Sequence, residues 1–184
     1  MTVVGVLLAA GEGRRFGQPK ALVRDPDGTS WLLRATAALD EGGCDRVVVV
    51  LGAGADQAEA MLASVPVDVI VAPDWATGMS ASLRAGLGFL LDGDAAVISL
   101  VDLPDVGAPV VRRLIDAGAG PDDLARASYD GRPGHPVLVG RHHWAGVLRA
   151  AVGDHGARDY LTAHEHVLVE CSDLATGVDV DTPV

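Results

Sequence analysis

Residues 8–20 read Leu8-Ala9-Ala10-Gly11-Glu12-Gly13-Arg14-Arg15-Phe16-Gly17-Gln18-Pro19-Lys20. The residues before them, 3–8, are apolar and rich in β-branched side chains, which predicts a buried strand of a parallel sheet. A glycine-rich loop after such a strand can turn its backbone N–H groups onto an anion, because glycine has no Cβ in the way. Arg15 and Lys20, the only lysine of the chain, add positive charge. The segment therefore predicts a cradle for a nucleoside triphosphate.

Two better-known glycine-rich loops do not match this segment. A dinucleotide-binding turn needs G-x-G-x-x-G, but Phe16 stands at the third glycine, and no acidic residue for a ribose occurs in segment 51–54. A P-loop needs serine or threonine after its lysine, whereas Ala21 follows Lys20. The remaining alternative is a surface turn with no ligand.

Apolar strand-like segments alternate with segments of helical spacing along the chain. The predicted strands are residues 3–8, 46–51, 67–71, 95–101, 124–129, 136–139 and 167–171. The predicted helices are residues 31–39, with Thr29 or Ser30 as N-cap, 56–63, 79–91, 109–117, 144–151 and 157–163. This alternation predicts an α/β fold with a mostly parallel sheet covered by helices on both faces. Ligands of such sheets bind beyond the carboxyl ends of the strands.

Composition narrows the class of protein. A chain of 184 residues predicts one domain over residues 1–184, and its net charge of −11 excludes nucleic acid or an anionic membrane as partner. Cys44 and Cys171 lie at the edges of apolar segments and are expected to be reduced, half-buried thiols. Because no basic leader and no apolar segment of membrane-spanning length occurs, we expect a soluble cytoplasmic protein.

Two further segments carry candidate site residues. Asp102 follows the apolar strand 95–101 and precedes Leu103-Pro104, where a carboxylate is held rigidly enough to bind Mg²⁺ together with phosphate oxygens. An aspartate that caps a turn before proline is the alternative. Gly78, Ser80 and Ser82 begin a helix, where the serines could either cap it or contact a base.

Residues 8–20 resemble the signature L-A-A-G-x-x-x-R-x-G-x-P-K of the MobA-like nucleotidyltransferases. Ala10 and Pro19 favour the molybdenum cofactor cytidylyltransferase branch, since the guanylyltransferase branch typically has glycine and aspartate there. The resemblance implies a three-layer sandwich with a Rossmann-like sheet of the nucleotide-diphospho-sugar transferase type. The nucleotide-binding residues that it implies are Leu8, Ala9, Ala10, Gly11, Glu12, Gly13, Arg14, Arg15, Lys20, Gly78, Ser80, Ser82 and Asp102.

The reaction implied by this resemblance joins CTP to the phosphate of molybdenum-bound molybdopterin and releases pyrophosphate. Lys20, Arg15 and Asp102 would be the catalytic residues, with Lys20 on the α-phosphate and Arg15 on the β and γ oxygens. Residues 178–183 resemble the family element D-I-D-T-P, so Mg²⁺ would bind Asp102 and Asp181, with Asp179 in support. A solvated acidic tail is the alternative. The family commonly has G-D-x-P around Asp102, and here Val101 replaces the glycine.

Residues 134–138 and 153–158 also resemble this family, which implies that His135, Pro136 and Arg158 bind the pterin phosphate acceptor. These residues could instead only tie loops together. Two alternatives for the function stay open. The protein could be a guanylyltransferase, or it could transfer a nucleotide to a sugar phosphate, methylerythritol phosphate or phospholactate. A non-catalytic nucleotide-binding protein that delivers the cofactor is a further alternative. A molybdoenzyme or its chaperone is the expected protein partner.

Overall fold

The computed structural model describes residues 1–182, which form one seven-stranded sheet flanked by six α-helices. The strands are β1 (Val3–Ala9), β2 (Arg46–Leu51), β3 (Asp68–Val71), β4 (Ala95–Leu100), β5 (Leu124–Tyr129), β6 (Arg132–Gly140) and β7 (Val167–Glu170). The helices are α1 (Trp31–Glu41), α2 (Ala55–Leu62), α3 (Met79–Phe89), α4 (Ala108–Asp116), α5 (Arg141–Ala150) and α6 (Arg158–Ala163). Short 3-10 turns occupy Lys20–Leu22 and Trp75–Thr77.

The sheet has the strand order β3-β2-β1-β4-β6-β5-β7. All neighbouring strands are parallel except at β6, which runs antiparallel to both β4 and β5. Val6 of the central strand β1 pairs with Val48 on one side and Ile98 on the other, and every residue of β1 is buried. The predicted mostly parallel sheet is therefore confirmed, and its apolar central strands are buried on both faces, as parallel strands require.

Helices cover both faces of the sheet. Leu7 of β1 belongs to a core with residues of α1, α2 and α4, whereas its neighbour Val6 belongs to a second core with residues of α3, α5 and α6. Successive side chains of a strand point to opposite faces, so one strand serves two cores. This is the expected three-layer sandwich.

Several predicted boundaries differ from the observed ones. Strand β6 begins at Arg132 rather than 136, because Pro133 and Gly134 lie in an extended segment that pairs with β5 although their sequence is typical of a turn. Helix α5 begins at Arg141 rather than 144, and α3 ends at Phe89 rather than 91. Of the two predicted N-caps of α1, Ser30 is the one observed, with its Oγ accepting a hydrogen bond from Leu33 N at 3.3 Å.

The expectation of half-buried thiols is wrong, since Cys44 and Cys171 are buried, although both are free. A Cβ added at Gly5 would lie 3.2 Å from Cys44 Sγ, so the missing side chain of this glycine leaves room for the thiol inside the core. Burial raises the pKa of Cys44 to about 12. No helix in residues 1–182 is long and apolar enough to cross a membrane.

Residues 171–182 follow β7 and form a segment that we name the C-terminal strap. It lies along α4, where both guanidinium nitrogens of Arg113 donate to the Asp173 carboxylate at 2.5 and 2.9 Å. Asp105 Oδ2 accepts from the backbone N–H and the hydroxyl of Thr176, both at 2.6 Å. Pro183, the last residue of the D-I-D-T-P resemblance, lies outside the described residues. These contacts hold the strap against the sheet's carboxyl edge.

Candidate functional site

A cleft of about 580 Å³ lies beyond the carboxyl ends of β1 and β4. This is the position where ligands bind in open α/β sheets. Its walls come from the loop after β1, the start of α3, the end of β4 and the strap. The lining residues are Leu8, Ala10, Gly11, Glu12, Gly13, Arg14, Arg15, Lys20, Trp75, Ala76, Thr77, Gly78, Met79, Ser82, Leu100, Val101, Asp102, Asp154 and Asp181.

The loop after β1 is shaped to present its backbone. Gly13 has a φ of 62°, and a Cβ there would collide with the carbonyl oxygen of Gln18, so this position needs glycine. Hydrogen bonds from Phe16 N to Gly13 O (2.8 Å) and from Lys20 N to Gly11 O (3.1 Å) close the loop. The backbone N–H groups of residues 11–15 donate no hydrogen bond within residues 1–182, which leaves them available to an anion.

Lys20 lies between two carboxylates that come from distant parts of the chain. Its Nζ is 2.5 Å from Asp102 Oδ2 and 2.7 Å from Asp181 Oδ1, and Arg15 contacts Asp181 Oδ2 at 3.2 Å. Val180 N donates to the carbonyl of Asp102 at 3.0 Å and so joins the strap to the end of β4. The two aspartates therefore converge on one ammonium group.

The titration of this cluster follows from its contacts. Burial opposes the charged form of Lys20, but hydrogen bonds and charges of Asp102 and Asp181 outweigh burial and raise the pKa of the ammonium. The hydrogen bond and the charge of Lys20 lower the pKa of Asp181 against a smaller effect of burial. Near neutral pH Asp181 is thus a charged carboxylate and Lys20 a charged ammonium.

The acidic pair can also hold a divalent cation. Asp102 Oδ1 is buried and has no hydrogen-bond partner among the described residues, which is a costly state for a carboxylate oxygen unless a ligand approaches it. Carboxylate oxygens are the ligands that Mg²⁺ and Mn²⁺ take, and Mg²⁺ commonly binds one or two of them together with phosphate and water. No group of three or more candidate metal-ligating side chains occurs in residues 1–182. The two aspartates therefore fit an ion that shares its ligands with a bound phosphate.

The start of α3 forms another wall of the cleft. Gly78, with a φ of 123°, is the N-cap and has no side chain, and neither Ser80 nor Ser82 caps the helix, so the alternative in which one of these serines caps it is wrong. Ser82 lines the cleft, whereas Ser80 is buried and its Oγ accepts from Gly156 N at 3.2 Å. Ala9 is also buried and does not line the cleft.

The residues predicted to bind the acceptor lie outside this cleft. His135 is half-buried on β6 beside the buried Pro136, and Arg158 begins α6. Loss of hydration lowers the pKa of His135 to about 4, helped by the positive charges of Arg126 and Arg158. His135 is therefore neutral near neutral pH and faces two guanidinium groups. Asp179 is exposed and does not line the cleft.

Sequence reasoning missed seven residues of the cleft, among them Trp75 and Asp154. Trp75 lies in the 3-10 turn before α3, and Asp154 lies in the loop after α5. Asp154 Oδ1 accepts a hydrogen bond from Met79 N at 3.3 Å, so the loop is fixed to the start of α3. Trp75 could have been found from the sequence, since it is a tryptophan in a polar connection between a strand and a helix. Asp154 could not, because its place depends on a contact between segments 75 residues apart.

A sheet of this topology with a cleft at its strand ends is typical of nucleotide-binding α/β proteins. Within that class, the chain belongs to the MobA-like NTP transferase family, whose domain matches residues 5–167. Its fold is that of the nucleotide-diphospho-sugar transferases, as the resemblance implied. The family is one of nucleotidyltransferases, so a nucleotide substrate is expected.

Similar proteins have several activities in their names. The chain is 36% identical to the nicotine blue oxidoreductase of Paenarthrobacter nicotinovorans, over 98% of this chain and 92% of that protein. It is 28% identical to a probable molybdenum cofactor guanylyltransferase of Mycobacterium bovis, over 83% and 70%. The crystal structure of Rv0371c from Mycobacterium tuberculosis has a TM-score of 0.81 and 30% identity, with 99% and 93% of the two chains covered. Rv0371c has also been solved as a manganese complex.

Proposed function

We propose that this protein is a Mg²⁺-dependent cytidylyltransferase that joins CTP to the phosphate of molybdenum-bound molybdopterin and releases pyrophosphate in the cytoplasm. The observation that carries the proposal is the Lys20 ammonium between Asp102 and Asp181, in a cleft whose loop offers unpaired N–H groups. This is the combination of charges that phosphoryl transfer requires, because its catalysis consists of positioning and charge neutralisation.

The reaction needs no base or nucleophile from the protein. A phosphate oxygen of the acceptor attacks the α-phosphorus of CTP, a new P–O bond forms, and the bond to the leaving pyrophosphate breaks. The attacking phosphate monoester is already ionised near neutral pH. Lys20 stabilises the charge that develops on the α-phosphate, and Arg15, whose guanidinium is largely exposed, binds the β and γ oxygens. The N–H groups of residues 11–15 bind the remaining oxygens.

The proposed metal site consists of Asp102 and Asp181. When bound, Mg²⁺ neutralises the triphosphate and the attacking phosphate as a Lewis acid. The unpartnered Oδ1 of Asp102 supports this assignment. The manganese complex of Rv0371c supports a divalent metal in the family. When nucleotide and metal bind, the Lys20 ammonium therefore has to release at least one of its two carboxylate partners, Asp102 or Asp181.

The choice of base is assigned to Ala10. Ala10 lines the cleft, and a guanine is larger than a cytosine, so in this proposal the extra methyl group at this position acts against the purine. We expect Ala10→Gly to raise kcat/KM for GTP relative to CTP by about tenfold, a magnitude that one methyl group can supply. Competition between the two nucleotides measures this ratio, and an unchanged ratio would refute the role of Ala10. The matched control is Ala76→Gly, a change of the same size elsewhere on the cleft wall.

The decisive experiment is a panel of acceptors with CTP and GTP, scored by pyrophosphate release. Molybdopterin, a sugar phosphate, methylerythritol phosphate and phospholactate distinguish the open alternatives, and Lys20→Met is the inactive control. Release only with CTP and molybdopterin supports the proposal. The acceptor residues are tested in the same assay, since His135→Ala and Arg158→Ala should raise KM for the acceptor alone. Tight nucleotide binding without pyrophosphate release would instead favour a delivery protein for a molybdoenzyme or its chaperone.

A redox function is the second candidate, favoured by the 36% identity to nicotine blue oxidoreductase over nearly the whole of both chains. That identity exceeds the 28% shared with the mycobacterial guanylyltransferase. The same cleft would then bind a reduced pyridine nucleotide through its pyrophosphate, and this nucleotide would pass a hydride to nicotine blue while water supplies the accompanying proton. Spectrophotometric reduction of nicotine blue with reduced pyridine nucleotides tests this, and activity that survives Lys20→Met would support it over nucleotidyl transfer.

A further inference from the structure

Trp75 is the one aromatic side chain among the residues that line the cleft. It is half-buried and packs against the core that contains α3, with part of its surface open to the cleft. The other two tryptophans, Trp31 at the start of α1 and Trp144 in α5, are both buried in the core. A partly exposed indole in a cleft leaves part of a large apolar ring in contact with water unless a ligand covers it.

The indole N–H distinguishes this residue as well. Trp31 donates to Asp25 at 2.7 Å and Trp144 to the carbonyl of Val139 at 2.9 Å, as buried tryptophans usually do. Trp75 Nε1 has no hydrogen-bond partner among the described residues, and it is not buried. Its ring is therefore held by packing alone and leaves both a face and a donor for a bound molecule.

A glycine makes room for this ring beside the nucleotide loop. A Cβ added at Gly52, just after β2, would lie 2.6 Å from Trp75 Cγ and 2.8 Å from Ala10 Cβ. Both distances are shorter than real Cβ contacts, so Trp75 and Ala10 pack on the same bare backbone. The ring consequently borders Ala10, the residue to which the choice of base is assigned.

We propose that Trp75 is the stacking platform for the base of the nucleotide. The inference rests on the proposed function, in which this cleft binds a nucleoside triphosphate. Every base has a π-face, so stacking on Trp75 holds the base without choosing it, and the Ala10 methyl group at its edge makes the choice. The α-phosphate then lies beside Lys20, whose backbone N–H donates to Gly11 O, and the β and γ phosphates extend along residues 12–15 toward Arg15.

The test compares Trp75→Leu with Trp75→Phe in CTP binding by calorimetry and in tryptophan fluorescence. Leucine removes the π-face, and because a stacked base is worth about 1–3 kcal/mol we expect the dissociation constant to rise about tenfold or more. Phenylalanine keeps a smaller face, so we expect binding within about threefold of wild type. CTP should quench the emission of the wild type, and Trp75→Phe should abolish that quenching. Trp144→Phe is the matched control and should preserve it. Thermal melting checks that each variant folds.

The outcomes separate this proposal from the proposed function. Normal CTP binding by Trp75→Leu, or quenching that persists in Trp75→Phe, overturns the platform while pyrophosphate release by the wild type can still stand. A rise in KM for the acceptor alone would assign the ring to the acceptor and overturn the proposal. Quenching and binding without pyrophosphate release keep the platform and refute the transferase. If the wild type binds no nucleoside triphosphate, both proposals are wrong. Gly52→Ala, which displaces the indole without removing it, should weaken CTP binding in the same direction as Trp75→Leu.

Discussion

Replacement of Lys20 by methionine removes the ammonium group and keeps a side chain of similar length. In the wild type this group contacts Asp102 and Asp181, and its side chain is only 17% exposed. Water therefore has little room to replace the missing charge. Removal of one preorganised donor to a developing negative charge costs about 10²–10³ in kcat, or about 2.7–4 kcal/mol. We expect Lys20→Met to lose at least about a hundredfold in kcat, with kcat/KM falling equally, since the interaction is made in the transition state.

The substitution should also change the stability of the protein in the absence of substrate. Loss of the cation leaves the buried Asp102 carboxylate facing Asp181, so the free energy of unfolding should fall by about 1–3 kcal/mol. This decrease is smaller than the full cost of breaking a buried ion pair, because the Asp181 side chain is 45% exposed. Because the pKa of Lys20 is raised in the folded state, its contribution to the free energy of unfolding is fully present below pH 10.5, the ordinary pKa of a lysine. This contribution is lost as the pH rises through the folded pKa. The lowered pKa of Asp181 means that its contribution is present above 3.8 and is lost as the pH falls through the folded pKa.

The assays are steady-state pyrophosphate release, urea unfolding and Mn²⁺ binding followed by electron paramagnetic resonance. Mn²⁺ should bind Lys20→Met without nucleotide more tightly than it binds the wild type, because the two carboxylates are no longer neutralised. Lys20→Arg is the control, since it restores the charge with a wider, planar group. Retention of more than about a tenth of wild-type turnover by Lys20→Met, against the expected loss from one missing donor, would refute the reasoning.

Two further predictions concern the surroundings of the site. His135 should titrate near pH 4 in a ¹³C NMR titration. Because its pKa in the folded state lies below the ordinary value of 6.5, the free energy of unfolding should fall as the pH drops from 6.5 toward 4. His135→Gln should flatten that part of the curve of stability against pH. Titration near 6.5 would contradict the desolvated environment. Arg113→Ala should release the strap that carries Asp181 and lower kcat about tenfold, because small displacements of catalytic groups are costly. Unchanged kinetics would show that the remaining contacts of the strap suffice.

The fold could be predicted largely because its central strands have no polar face. Residues 46–51 contain only apolar side chains after Arg46, and the predicted strand coincides with the observed one. The start of α5 was missed because His142 and His143 interrupt the apolar spacing, and their contacts with Asp122 and Tyr160 are long-range. Local patterns therefore predicted the buried elements and failed where tertiary contacts decide the boundary.

The same limit applies to the cleft. The loop of residues 8–20 could be found because its glycines, arginines and lysine are contiguous, and its geometry depends on local hydrogen bonds. The meeting of Asp102 with Asp181 across 79 positions followed from the resemblance and not from any local pattern. Trp75 was overlooked because an aromatic residue at helical or turn positions is usually part of a core, and only the bare backbone of Gly52 brings it to the cleft.

The hydrogen bond between Val180 N and the carbonyl of Asp102 has a consequence for how the chain tolerates change. This hydrogen bond joins the residue next to Asp181 to Asp102 through main-chain atoms, so this one link does not depend on the identity of the side chain at position 180. A saturation scan should accept nearly every amino acid at the exposed position 178 and mainly apolar residues at position 180, where Val180 packs against the core. Proline at position 180 should fail although it is apolar, since it has no amide hydrogen to donate.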